Sequence, residues 1–309
     1  MNKIEFGNCI DIMQKWIDDG VKVNTCVTSP PYYGLRDYGV KEQLGLEKTP
    51  KEYIDNMVKV FRLVRELLTD DGTLWVNIGD SYSSGGRTST TNQSLRKNTE
   101  YGVTRPPIVK GIKQKDLMGI PWMLAFALRE DGWYLRQDII WHKPNPMPES
   151  VKDRPTSCHE KIWLITKSKK YYYDADAIRE PVAQGTITRL SEKNLKNQKG
   201  STRGNGGMKS NGNMKPVGNM ETKNKRNVWT VTTKPCKEAH FATFPKDLIE
   251  PCIKAGCPEN GIVFDPFGGS GTTGIVAKSL NRKAILSELN PEYIEIAKVR
   301  INKEFGMFK

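Results

Sequence analysis

The chain has 309 residues, 37% of them hydrophobic, enough for one large domain with an insertion or for two domains. Lys and Arg outnumber Asp and Glu 48 to 35, a formal charge of +13 that favours a polyanionic partner through phosphate contacts and counterion release. No apolar run approaches the roughly 20 residues that span a bilayer, and the cysteines (Cys9, Cys26, Cys158, Cys236, Cys252, Cys257) lack framework spacing. A membrane-spanning chain and a disulfide scaffold are excluded. With no signal peptide expected at Met1-Asn2-Lys3-Ile4-Glu5, the expected setting is reducing and cytoplasmic.

In chain order, Ile4 to Trp16 reads as a short strand, a turn at Gly7-Asn8 and an amphipathic helix. Val21 to Thr28 is an apolar, β-branched strand ending at Ser29-Pro30-Pro31-Tyr32. Thr49-Pro50-Lys51-Glu52 opens a helix with proline at its first position, and Tyr53, Met57, Val60, Phe61, Val64, Leu67 and Leu68 follow at helical spacing. Asp70-Asp71-Gly72 is expected to stop it before a strand over Thr73 to Ile78. Residues 81–115 read as a long polar loop. A helix over Pro121 to Glu130 and strands over Trp133 to Trp141 and Glu160 to Thr166 come next. From Ala183 to Arg226 the chain is rich in Lys, Arg, Asn and Gly, and cannot bury a core of its own. Helices over Phe244 to Ala255, Thr272 to Leu280 and Pro291 to Ile301 then alternate with strands over Ile262 to Phe264 and Ala284 to Leu286. The alternation predicts an α/β fold with a doubly wound, mostly parallel sheet.

Two motifs follow strands and therefore lie where open α/β sheets bind ligands. Ser29-Pro30-Pro31-Tyr32 follows the first. Asp265-Pro266-Phe267-Gly268-Gly269-Ser270-Gly271-Thr272-Thr273 follows the second, with glycines that admit a ligand close to the backbone and a helix N-terminus that offers free N–H groups. A P-loop would need a lysine that is not there, since Gly271 runs directly into Thr272. The dinucleotide spacing does fit Gly269-Ser270-Gly271-Thr272-Thr273-Gly274, and on this motif alone a dinucleotide site stays open. Glu288, ending the next strand, suits ribose hydroxyls in either case.

Taken together, the two motifs resemble those of the amino-methylating DNA methyltransferases that use S-adenosylmethionine (SAM). Catalytic motif first and cofactor motif last is similar to the family's permuted β-type order, and the Ser-Pro-Pro-Tyr spelling to its N4-cytosine members. The resemblance spans about Ile4 to Arg300, with low similarity over 181–227. It implies a Rossmann-like SAM-dependent methyltransferase fold with a small inserted target-recognition region. Residues 1–182 would form the first part of the catalytic domain, 183–226 the basic insertion and 227–309 the second part. It further implies direct methyl transfer to N4 of cytosine in a flipped-out base, with the same reaction at N6 of adenine as the alternative. A non-catalytic DNA-binding module with a methyltransferase shell is the competing class, and the intact motifs argue against it.

By the same resemblance Ser29, Pro30, Pro31 and Tyr32 carry catalysis. Ser29 Oγ and the Pro30 carbonyl would accept from the target amine, and Tyr32 would stack on the base. Asp265, Phe267, Gly269, Gly271 and Thr272 would line the methionine part of the cofactor, Glu288 would hold its ribose, and Phe241 and Pro245 would pack near it. Tyr33, Arg36, His142 and Lys143 are expected around the base or the DNA. Double-stranded DNA is the implied partner, a cognate restriction endonuclease a further one, and the expected assembly a monomer or homodimer. A zinc site from Cys236, His240, Cys252 and Cys257 lacks the tight knuckle spacing, so no metal is expected.

Overall fold

The structure, a computed structural model, describes residues 2–83, 111–185, 187, 221–234 and 244–305. The chain divides into two compact units, Met1–Asp174 with Asn227–Lys309, and Ala175–Arg226.

In the larger unit β1 (Asn2–Phe6) leads into α1 (Cys9–Asp18), where Asn8 caps the helix by accepting from Ile10 N at 3.0 Å. After β2 (Val23–Thr28), helix α2 (Pro50–Leu67) starts at Thr49, whose hydroxyl accepts from Glu52 N at 3.2 Å, with Pro50 at the first position. Then follow β3 (Leu68–Ile78), α3 (Ile120–Glu130), β4 (Tyr134–His142) and β5 (His159–Thr166). In the smaller unit β6 (Glu180–Pro181) pairs antiparallel with β7 (Thr222–Lys223), tied by Arg179 Nε donating to Thr222 Oγ1 at 2.8 Å. The chain of the larger unit resumes with β8 (Val228–Thr230), α4 (Lys246–Gly256), β9 (Ile262–Asp265), α5 (Thr272–Ser279), β10 (Lys283–Glu288) and α6 (Pro291–Phe305).

Eight strands form one sheet in the order β1-β10-β9-β2-β3-β5-β4-β8, and of these β5 runs antiparallel to both its neighbours. Side chains alternate across it. Cys26, Leu74, Val76, Ile78, Trp163, Ile165, Phe264 and Ile285 face a core built with α1, α2 and α3. Thr25 and Thr73 face the other way, under α4, with their hydroxyls 2.8 Å apart. Trp75 Nε1 donates to Thr73 Oγ1 at 3.1 Å, so this buried polar row is satisfied internally. A Cβ on Gly256 of α4 would come within 2.5 Å of Thr73 Oγ1, which is why glycine stands there.

Strand order reverses between β2 and β9, which lie side by side in parallel, Cys26 opposite Phe264. That reversal opens the crevice in which doubly wound sheets bind ligands. Two local expectations are revised. Asp70-Asp71-Gly72 does not separate helix from strand: Leu68 already pairs with Val23, and the residues between it and Thr73 form an irregularity in the register. The three-residue β8 carried too short a signal to be read and pairs parallel to β4, Trp141 opposite Trp229.

Candidate active site

The carboxyl ends of β2 and β9 bring both motifs to one place. Thr28, the last residue of β2, donates its hydroxyl to Asp265 Oδ1 at 2.6 Å, and Thr273, in the first turn of α5, donates to Asp265 Oδ2 at 2.6 Å. Phe267 N adds a third bond to Asp265 at 3.0 Å. Asp265 is therefore a buried joint between the two motifs rather than a group open to a ligand. Burial outweighs its donors and pushes its carboxyl up to about 6.

Beyond it the glycine turn is held from behind. Gly269 and Gly271 have φ of 50° and 78°, the left-handed region that glycine enters freely. A Cβ on Gly271 would lie 2.9 Å from Ala297 Cβ of α6, whereas one on Gly269 would meet only Phe267 O, at 3.9 Å. Arg300 of α6 grips the turn, donating to the Ser270 carbonyl and, at 3.2 Å, to Thr272 Oγ1. Glu288 takes Gly269 N at 2.7 Å and Asn290 N at 2.8 Å, and burial raises its carboxyl above the ordinary range. A carboxylate offers about four acceptor positions, so Glu288 retains capacity for a diol. Phe267, Gly269 and Glu288 are half-buried, reachable along one rim.

On the β2 side Pro30 is buried, and the Pro31 carbonyl accepts from Tyr53 Oη at 2.9 Å, pinning the rigid two-proline turn. Ser29 and Tyr32 are half-buried. Tyr32 Oη donates to Glu160 Oε2 at 2.6 Å and lies 3.3 Å from Asn77 Oδ1 and 3.5 Å from Ser29 Oγ. Burial and the adjacent Glu160 carboxylate hold the Tyr32 phenol well above its ordinary value, so it stays protonated at working pH. Gly79 makes room for the ring, since a Cβ there would fall 2.7 Å from Tyr32 Cε2.

The remaining expected site residues are dispersed. Lys143 sits in the same cluster as Tyr32, paired with Glu160 and 4.4 Å from the centroid of the Trp141 ring, not extended toward solvent. His142 Nδ1 lies 3.1 Å from Thr230 Oγ1. Tyr33, expected near the base, is instead 1% exposed and packs on Tyr53 in the core, a place from which it cannot stack on a ligand. Arg36 stands in the turn after the motif, its carbonyl accepting from Gln43 Nε2. Pro245 is buried at the start of α4, and Phe241 lies outside the described residues, as do Cys236 and His240. Among the described residues no cluster of three metal-ligating side chains occurs.

Three residues were missed in the sequence. Glu160 and Asn77 meet Tyr32 across strand pairings that no local pattern announces. Asp80 caps α3 from 40 positions away, taking Gly119 N at 3.0 Å and Ile120 N at 3.1 Å. The Asp80-Ser81 start of a polar loop was its only trace.

A DNA methylase family model matches residues 23–299. The chain is 46% identical over 298 residues to the Type II methyltransferase M.Cfr9I of Citrobacter freundii, covering 96% of this chain and 87% of that one. It is 48% identical over 275 residues to M.SmaI of Serratia marcescens, covering 89% and 82%. In fold it is similar to the PvuII cytosine-N4-specific DNA methyltransferase, with a TM-score of 0.62 at 19% identity over 97% of this chain and 86% of that one. It is also similar to TTHA0409, a modification methylase of Thermus thermophilus complexed with SAM, with a TM-score of 0.60 at 20% identity over 100% and 96%. A Rossmann-like α/β sheet with a Pro-Pro motif and a glycine turn at its switch point is the architecture of an amino-methylating methyltransferase. This chain belongs to the N6/N4 DNA methylase family and is a DNA methyltransferase.

Proposed function

We propose that the protein transfers a methyl group from SAM to N4 of cytosine in double-stranded DNA. The observation that carries the reading is the Thr28–Asp265–Thr273 joint, which couples the turn bearing Ser29 to the glycine turn. SAM, when bound, supplies an electrophilic methyl on a sulfonium. The residues present fit it: a turn of open glycine backbone at a helix N-terminus for its carboxylate, and Glu288 for its ribose.

An exocyclic amine is a weak nucleophile because its lone pair is delocalised into the ring. Ser29 Oγ and the Pro30 carbonyl accept from its protons, favour a tetrahedral nitrogen and stabilise the charge that develops. Tyr32 offers a ring face to a base drawn out of the stack. The serine spelling of the motif favours cytosine, and adenine N6 presents an equivalent amine. The basic stretch 183–226, most of which lies outside the described residues, is the proposed recognition region, with Lys and Arg on phosphates and a few side chains reading base edges. Partnership with a restriction endonuclease of the same site specificity belongs to this reading.

The test is digestion and mass spectrometry of duplex DNA incubated with the protein and methyl-labelled SAM. N4-methylcytosine is expected. N6-methyladenine overturns the base assignment, and an unmodified digest from varied DNA overturns the function.

A further inference from the structure

Glu160 belongs to neither motif and stands on β5, the strand that runs against its neighbours. Its carboxylate takes Tyr32 Oη at 2.6 Å on one oxygen, with Asn77 Nδ2 at 3.0 Å on the same oxygen, and pairs with Lys143 on the other. The cluster is a chain with a direction. Tyr32 has one proton and two acceptors in reach, the Glu160 carboxylate at 2.6 Å and the neutral Asn77 Oδ1 at 3.3 Å. The charged and shorter contact takes the proton. The lone pairs of Oη then face Ser29 Oγ, which donates to Oη across 3.5 Å. A serine that spends its proton on Tyr32 presents only lone pairs to a third group. With the Tyr32 proton turned toward Ser29, the serine hydroxyl would instead point its own proton outward, a donor against the donors of an amine.

We propose that Glu160 is a positioning residue for methyl transfer: it fixes the hydroxyl proton of Tyr32 and thereby keeps Ser29 an acceptor toward the target amine. This inference rests on the acceptor role given to Ser29 above. The protonated state of Tyr32, held by burial beside the carboxylate, agrees with it. A neutral amide in place of this carboxylate cannot reproduce the arrangement. It has one acceptor oxygen for three donors, and with that oxygen on Lys143 its N–H₂ group meets Tyr32 and reverses the chain.

The experiment is a double-mutant cycle on the full chain, reading single-turnover transfer from labelled SAM to duplex DNA for wild type, Tyr32→Phe, Glu160→Gln and the double variant. Each single variant is expected to lower the rate about 10- to 100-fold, the size of a lost bond to a charged group. Dissociation constants for SAM and for duplex DNA should stay within about twofold, since the loss falls on the reaction step. The double variant should be no slower than the slower single, because both act through one hydroxyl. Glu160→Gln at wild-type rate, or losses that multiply, overturns the proposal. Where Glu160→Gln fails to bind SAM, Tyr32→Phe decides alone: it leaves the ring, Ser29 and Glu160 in place, and an undiminished rate overturns the proposal. N6-methyladenine as the wild-type product would remove the cytosine reading and leave this one standing. An active wild type with unaffected variants does the reverse, and a wild type that methylates no base overturns both.

Discussion

Asp265→Asn tests the joint between the two motifs. Asp265 is 1% exposed, and its carboxyl is pushed by burial from an ordinary 3.8 to about 6. A rise of that size corresponds to about 3 kcal/mol. Because the native carboxyl holds its proton where the unfolded chain has lost it, its contribution is full below about pH 4 and is lost as pH rises through about 6. Asparagine keeps the shape and the oxygen that takes Thr28 Oγ1 and Phe267 N. The Thr273 hydroxyl, 3.5 Å from the Val27 carbonyl, can turn to accept from the new amide. Urea unfolding of both proteins in steps from about pH 4 to pH 7 should show wild type losing about 3 kcal/mol relative to the variant. Glu288, also raised by burial, titrates in both proteins and largely cancels in the difference. A difference flat to within about 1 kcal/mol, or one that moves in favour of wild type as pH rises, would refute a buried charge at this position.

Gly79→Ala places a Cβ 2.7 Å from Tyr32 Cε2 and should lower turnover about tenfold while SAM binding, read by calorimetry, is unchanged. Gly271→Ala forces a left-handed φ of 78° on alanine and a contact of 2.9 Å with Ala297 Cβ. Its expected cost is about 1–2 kcal/mol, seen as a weaker SAM dissociation constant and a lower unfolding midpoint. Replacing residues 188–220 by a short Gly-Ser linker should abolish site preference on a sequence-randomised DNA library and leave SAM binding intact.

The motifs were legible because each is contiguous and follows an apolar strand, and strand ends are where such sheets bind ligands. Ser29, Tyr32, Gly269 and Glu288 needed only that rule. Glu160 was invisible for the opposite reason: it reaches Tyr32 across 128 positions, through the pairing of β3 with β5 and of β5 with β4. Nothing local distinguishes that glutamate from a solvated one. Tyr33 failed in the other direction. Its neighbour Tyr32 suggested a shared role, but adjacent side chains leaving a strand end take different sides, and the core claimed Tyr33. Asp265 was placed correctly and given the wrong partner, because a carboxylate beside a glycine turn looks like a ligand group until the hydroxyls of Thr28 and Thr273 are seen to occupy it.

The joint also accounts for why the order of the motifs along the chain carries no chemical consequence. Ser29 and Gly269 stand near opposite ends of the chain, yet β2 and β9 are neighbours in the sheet and both run toward the same edge. Parallel pairing alone would align the two turns only as well as flexible loops allow. The two bonds of 2.6 Å on Asp265 tie the last residue of β2 to the first turn of α5. A displacement of either turn would strand a buried carboxylate with fewer donors, at about 1–3 kcal/mol or more for each bond lost. That penalty, and not chain connectivity, is what keeps the acceptor turn and the glycine turn in register for a reaction sensitive to small misplacements.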